Sequence, residues 1–264
     1  MEASRNDNDD DVGVNAAPPV TDTADSQLPS LENGSFVELH ALSRQDMNGQ
    51  TGEIVGYNGE RFLVKLDSDD KTTIKVKPDN CKRIALQPME IRKQAMELAS
   101  AALDQSSISK MKLLCLQSTE LDRCCVLAWI GLGQSMMQQG NKQHVATAVT
   151  FLQRAVAQSH AAAPFLPSTT TLRIRLELAT CLGEAGRIHD EATQLERVLT
   201  EAPHFVHGVY ALGLNRMEHG RKQEAMELYQ RVLSSPDTDS TGLNTPEEIA
   251  DLKRRAKANV AKDT

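Results

Sequence analysis

Apolar and polar positions follow two different rhythms along this chain. Between Ser35 and Leu86 they come in short runs, FVELHAL, TGEIVGY, RFLVKL and TTIKVK, rich in β-branched or aromatic side chains, the signature of strands. Asn48-Gly49, Asn58-Gly59 and the acidic cluster Asp67 to Asp70 fall between the runs. Asn-Gly tolerates the positive φ angles of tight hairpin turns. Pro78-Asp79-Asn80-Cys81 interrupts the last long strand, and KRIAL supplies a fifth short strand or a single turn. Such a meander suits closure into a small barrel, because closure removes exposed strand edges.

After Pro88 the spacing changes to three and four. PMEIRKQAMELASAALDQ places Ile91, Ala95, Leu98, Ala99 and Ala102 close to one helix face, and ISKMKLLCLQSTELD follows after Ser106-Ser107, so an antiparallel helical hairpin is expected. GRIHDEATQLERVLTEAP (186–203) and GRKQEAMELYQRVLSSPD (220–237) then align without gaps. Both open on Gly-Arg, share Arg-Val-Leu at 197–199 and 231–233, and carry proline at 203 and 236. Glycine ends the first helix of each pair at the turn, and proline marks where the second stops. Thr245-Pro246-Glu247-Glu248 combines an N-cap, a first-turn proline and a reciprocal glutamate, so a last helix is expected to run to about residue 262. Ile249, Leu252 and Ala256 would face inward there, leaving Lys253, Arg254, Arg255 and Lys257 in water.

Two resemblances rest on these residues. The series F-V-E-L-x6-N-G-x2-G-x-I-V-x-Y-x3-R-F-x-V-K-L, ending in K-P-x-N, resembles the small Src-homology-3-like (SH3-like) barrels of protist and algal multidomain proteins. Trp129-x2-Leu132-Gly133-x2-Met136 resembles the opening of a tetratricopeptide repeat (TPR), with Leu178-Ala179 and Leu212-Gly213 answering Leu132-Gly133 in the later copies. The chain departs from that pattern in three places. Glu191 stands where the third copy has Ala225, part of NKQHVAT reads as an insertion between the helices of the first copy, and HAAAPFLPSTTT makes a long junction. The expected fold is α+β and multidomain: a disordered acidic tail (1–33), a small all-β SH3-like barrel (34–86), an all-α tetratricopeptide-like array of helical hairpins (88–237) and a capping helix (245–262).

Composition sharpens this picture. The formal charge is −7, but residues 1–33 hold eight of the 36 acids and one of the 29 Lys and Arg, leaving 28 of each beyond. The imbalance therefore sits in a segment with too little apolar surface to order itself. Between Gly34 and Leu86 eight bases meet eight acids, so no net field attracts phosphate, and nucleic acid is disfavoured as a partner. Association with nucleic acid or chromatin through the barrel is the alternative reading. Five cysteines without a C-x-x-C pair argue against a disulfide framework or zinc ribbon. A reducing compartment fits, the cytosol by default with the nucleus also open. No run of 18 apolar residues suggests a membrane span, and MEASRNDNDDD lacks the regions of a secretory signal.

The motifs for chemistry read as structural. Cys124-Cys125 reads as buried apolar surface, His204-x2-His207 has no nearby Glu or Cys to complete a zinc set, and Gly131-Leu-Gly133 lies within a helical pattern. The reading is a non-enzymatic adaptor with no cofactor, no metal and no small-molecule substrate, whose partner is a protein or peptide. The tetratricopeptide resemblance implies a concave face built from Ile130, Gln134 and Met137, then Leu176 and Thr180, then His207, Tyr210, Leu214 and Met217. Some relatives clamp a C-terminal carboxylate with Lys and Asn there, which these residue types do not provide. The barrel, with Tyr57 and Arg61 as candidate contacts, would be a second interaction module.

Overall fold

Turn chemistry and strand length decide the shape of the β region. The computed structural model describes residues 31–68, 72–162, 165–167, 169–239 and 242–263; the expected acidic tail lies, up to Ser30, outside the described residues. Five strands, β1 (Phe36–Leu39), β2 (Thr51–Tyr57), β3 (Phe62–Leu66), β4 (Thr73–Val76) and β5 (Cys81–Arg83), form an antiparallel sheet in the order β4-β3-β2-β1-β5. Gly49 and Gly59 adopt φ of +81° and +93° in the two Asn-Gly turns. The Asn58 side chain accepts from the Arg61 backbone amide at 2.8 Å and fastens the β2–β3 hairpin.

The closed SH3-like barrel is not what forms. β4 and β5 lie at opposite edges of the sheet without pairing, so the sheet is open. At four and three residues they are too short to carry the ladder round, and a 3-10 turn at Pro78–Asn80 separates them. Helices cover part of what closure would have covered. Because alternate residues of a strand point to opposite faces, Val37 and Leu39 join Ile54, Val64 and Leu66 in the core of the sheet. Phe36 points the other way and is buried in the helical core.

Nine α-helices follow among the described residues, packed as successive hairpins: α1 (Met89–Leu103) on α2 (Ile108–Leu121), α3 (Val126–Met137) on α4 (Lys142–Ala157), α5 (Thr169–Glu184) on α6 (Ile188–Glu201), and α7 (Val206–Glu218) on α8 (Lys222–Ser234), with α9 (Pro246–Asp263) against α8 and α7. This is a helical-repeat array joined to a small sheet, an α+β architecture. At the start of α9, Thr245 and Glu248 exchange side chain–backbone hydrogen bonds at 2.7 and 3.2 Å.

Local departures from the sequence pattern have physical reasons. NKQHVAT is no insertion between helices, since Asn141 caps α4 by accepting from the His144 amide at 2.9 Å and the rest extends that helix. On α1 the buried face is Arg92, Ala95, Met96, Ala99 and Ala102, rotated from the expected stripe. Arg92 turns inward because the junction after α4 folds back over it, its guanidinium donating to the Ala161 carbonyl and lying 5.2 Å from the Phe165 ring. Glu191, in place of the small residue found at Ala225, is accommodated by two neighbours. A Cβ at Gly183 would come within 2.9 Å of its carboxylate, and the Asn215 amide donates to it at 2.9 Å. Partial burial raises the Glu191 pKa, and that hydrogen bond opposes the rise.

Ionic clamps with aromatic packing fasten the sheet to the array. Arg154 of α4 forks onto Glu53 of β2 at 2.8 and 2.7 Å and lies over the Trp129 ring at 4.7 Å. The Arg123 guanidinium sits 3.8 Å from the centroid of the Phe36 ring and pairs with Asp67, while the Trp129 indole donates to the Arg123 carbonyl at 2.8 Å. Phe36 and Trp129 are 6.1 Å apart by ring centroid. Ahead of the sheet, Glu32 accepts from Arg175 and Arg197 at 3.2 and 3.0 Å.

Arg123 holds the Asp67 carboxyl below the ordinary carboxylate range, with Thr51 adding a second hydrogen bond. A pKa depressed on folding contributes stability that is present above the unfolded value, about 4, and lost as pH falls through the folded one. Asp67→Asn is expected to cost about 1 kcal/mol at pH 7, since this partly exposed pair is screened by solvent. It should also flatten the fall in melting temperature below about pH 4, as read by thermal denaturation across pH.

Candidate functional site

Helices α3, α5 and α7 are each the first helix of a hairpin, and the surroundings of their two ends differ. Around the N-terminal ends of α5 and α7 the chain covers itself. Arg173 donates to the carbonyls of Gly242 and Leu243 at 3.2 and 3.1 Å, and Asn244 accepts from the His207 amide at 3.2 Å. Leu243 is buried in one cluster with Leu172, Leu176, Tyr210, Ile249 and Leu252. His207 stays in reach of solvent, but crowding beside α9 lowers its pKa, with Glu248 opposing.

Around the C-terminal halves of α3 and α5 the face is open. A cleft of about 290 Å³ is lined by Gln134, Met137, Gln138, Leu152, Glu177, Thr180 and Cys181. Its walls are mainly apolar and neutral, and Glu177 is the one charged residue among them. Glu177 is itself exposed at the rim; partial desolvation against the cleft wall raises its carboxyl above the ordinary value, opposed by the Gln134 amide at 3.4 Å. The Cys181 thiol is pushed up to about 12 by burial, with Glu184 and Glu177 adding to the effect, so it packs as a small apolar group rather than reacting as a thiolate.

The structure distributes the residues expected on the concave face among three settings. Gln134, Met137 and Thr180 come together around the open cleft. Leu214 is 37% exposed on α7, and Met217 packs half-buried against the second helical core. Ile130, Leu176 and Tyr210 are buried. Tyr210 packs on Tyr229 at 5.8 Å, beneath the surface it was expected to form. Glu177 was missed by sequence reasoning. Its position on α5, one turn before Cys181 and three residues before Thr180, is the periodicity signal that could have found it.

Tyr57 and Arg61 are exposed at the β2–β3 hairpin. The Tyr57 hydroxyl donates to the Gly59 carbonyl at 2.6 Å, and its ring packs on Phe62 at 5.2 Å. Tyr57 also borders a second cleft, of about 400 Å³, between the sheet and α4, α5 and α6. The charges of that cleft are largely paired, Arg187 with Asp190 and Arg197 with Glu32. Arg61 does not line it.

All five cysteines are buried and unpaired in disulfides. Among the described residues no group of three or more His, Cys, Asp and Glu converges to hold a metal ion, and no helix is long and apolar enough to cross a membrane.

No family model and no curated protein matches the chain. Among solved structures it is similar to the crystal structure of MamA, at 17% identity and a TM-score of 0.44, over 62% of this chain and 81% of that one.

Proposed function

We propose that this chain is a non-enzymatic adaptor that holds a segment of a partner protein on the inner face of its helical array. The observation that carries this reading is the open cleft where Gln134, Met137 and Thr180 converge. A recess of this kind accepts one or two side chains of a helix or extended peptide, and the unbranched Met137 adapts its shape to them. The half of the face sealed by Leu243 and Asn244 is taken up by the chain itself, which directs a partner to the C-terminal halves of α3, α5 and α7. The sheet, with Tyr57 and Arg61 at its exposed hairpin, serves as a second contact surface within the same adaptor.

Peptides selected from a displayed random library against the full-length chain test this reading. Two exposed positions report on the proposed face: Thr180→Trp fills the cleft, and Leu214→Glu puts a charge on the exposed surface of α7, with little expected effect on folding. The selected peptides should bind each variant at least about tenfold more weakly than the parent, the loss of one buried anchor. Equal affinity for parent and variants would remove the groove from the account.

A further inference from the structure

We propose that the chain forms a symmetric dimer in which α2 of one copy lies antiparallel against α2 of a second copy. The proposal stands independently of the cleft between α3 and α5 and of what that cleft holds.

Helix α2 packs on α1 and α3, and it is apolar on both sides. Met111 and Cys115 are buried in the helical core, with Leu114 partly buried against it. Leu113, Leu116 and Leu121, at 55%, 41% and 42% exposed, face water from the other side. Single apolar side chains on a surface are ordinary, but these three share one side of one helix. A helix that is apolar all round is normally buried.

The other end of the array is closed differently. On α9, Ile249, Leu252 and Ala256 are buried, while Arg254, Arg255 and Lys257 face solvent and Asp251 pairs with both arginines. Repeat arrays need polar outer faces on their terminal units to stay soluble. The first hairpin lacks one on α2, where residues 113–119, LLCLQST, carry no charge.

The charges at the two ends of this stripe name its occupant. Lys110 precedes it and Glu120 follows it; both are exposed, and neither forms an ion pair among the described residues. Helical spacing sets Lys110, Leu113, Gln117 and Glu120 along one line, base at one end and acid at the other, about 15 Å apart. The midpoint of that line is residue 115. Laid antiparallel on a copy of itself, the stripe brings each Lys110 to Glu120 of the second copy and gathers Leu113 and Leu116 of both copies between them. A parallel arrangement would set like charges together. The stripe is therefore complementary to itself in the reverse direction, which is what a two-fold interface requires. No residue lining the α3–α5 cleft belongs to α2, so the dimer presents two clefts, and a partner with two binding segments would gain by avidity.

Sedimentation equilibrium of the full-length chain over about 1–100 μM tests the proposal, and a monomer–dimer equilibrium is expected. Leu113→Glu puts a charge into the contact twice, once from each copy, and should weaken dimerisation at least about a hundredfold. Circular dichroism should stay unchanged, because the position is exposed. Lys110→Glu and Glu120→Lys each set like charges opposite one another and should weaken the dimer by roughly three- to tenfold. Mixing these two variants should restore association as a heterodimer, since every facing pair is again opposite in sign. A chain that stays monomeric throughout the range overturns the proposal. So does a dimer that survives Leu113→Glu, which must use another surface. A dimer that is lost with Leu113→Glu but is not restored by mixing the charge variants overturns the antiparallel arrangement.

Discussion

Arg154→Ala is expected to lower the melting temperature of the full-length chain by about 6–12 °C, the shift that roughly 3 kcal/mol produces in a protein of this size. The reason is the environment of its partner. Glu53 is 6% exposed, and its carboxylate oxygens take two hydrogen bonds from Arg154, whose own side chain is 22% exposed. Truncating the arginine leaves a buried carboxylate without a cation and opens space beside Trp129 and Phe151, over which the guanidinium lies at 4.7 and 5.7 Å. The double change Arg154→Met with Glu53→Gln is the informative companion. Removing both charges while keeping volume should recover most of the loss, because breaking a buried pair costs more than replacing it. If Arg154→Ala alone were neutral, the clamp would not hold the sheet to the array.

Gly34→Ala should be as damaging, through the backbone rather than through charge. Gly34 has φ of +91°, and a Cβ there would stand 2.6 Å from the Gln153 carbonyl carbon and 2.7 Å from the Arg154 nitrogen. Both are main-chain atoms of α4, which cannot rotate aside. The strained φ alone costs about 1–3 kcal/mol, and relieving the clash means moving β1 off the helix. The same shift would strain the bond from the Gln158 side chain to the Gly34 carbonyl, 2.9 Å, and the burial of Phe36 among the helices. The expected result is a loss of about 3 kcal/mol or more in chemical denaturation, with faster hydrogen exchange in residues 35–39. A substitution tolerated within about 0.5 kcal/mol would show that the contact at Gly34 yields.

These two predictions also mark what the sequence conveyed and what it did not. The strands, the hairpin turns and the helical pairs were legible because each is written within a few residues: alternation in FVELHAL, Asn-Gly at the turns, Gly-Arg and Arg-Val-Leu recurring in the later hairpins. Closure of the sheet was not, since whether β4 meets β5 depends on how far those strands run and on what else covers them. The Arg154–Glu53 clamp joins residues 101 positions apart, and at that separation no local pattern reports a pairing. The inward Arg92 lies off the apolar stripe that the spacing on α1 marked, and its burial depends on the junction after α4 that folds over it. The sequence therefore suggested two modules side by side, where Phe36, Trp129 and two arginines bind the sheet tightly to the helices.

The inner face was legible to a similar depth. The repeat pattern pointed to α3, α5 and α7, and it brought Gln134, Met137 and Thr180 to one cleft. It also named Ile130, Leu176 and Tyr210, which are buried among neighbouring side chains. Periodicity gives the direction in which a side chain leaves its helix; the depth at which it ends depends on the next helix. Glu177 shows the converse, a charge passed over as ordinary surface that the fold places in a concavity.

The adaptor reading meets its most direct test in hydrogen–deuterium exchange of the full-length chain, alone and saturated with a library-selected peptide. The expected result is slowed exchange confined to the C-terminal halves of α3 and α5 and to α7 near Leu214, with the sheet unchanged. Protection that spares those helices and appears elsewhere, on the sheet or on α2, would contradict the account.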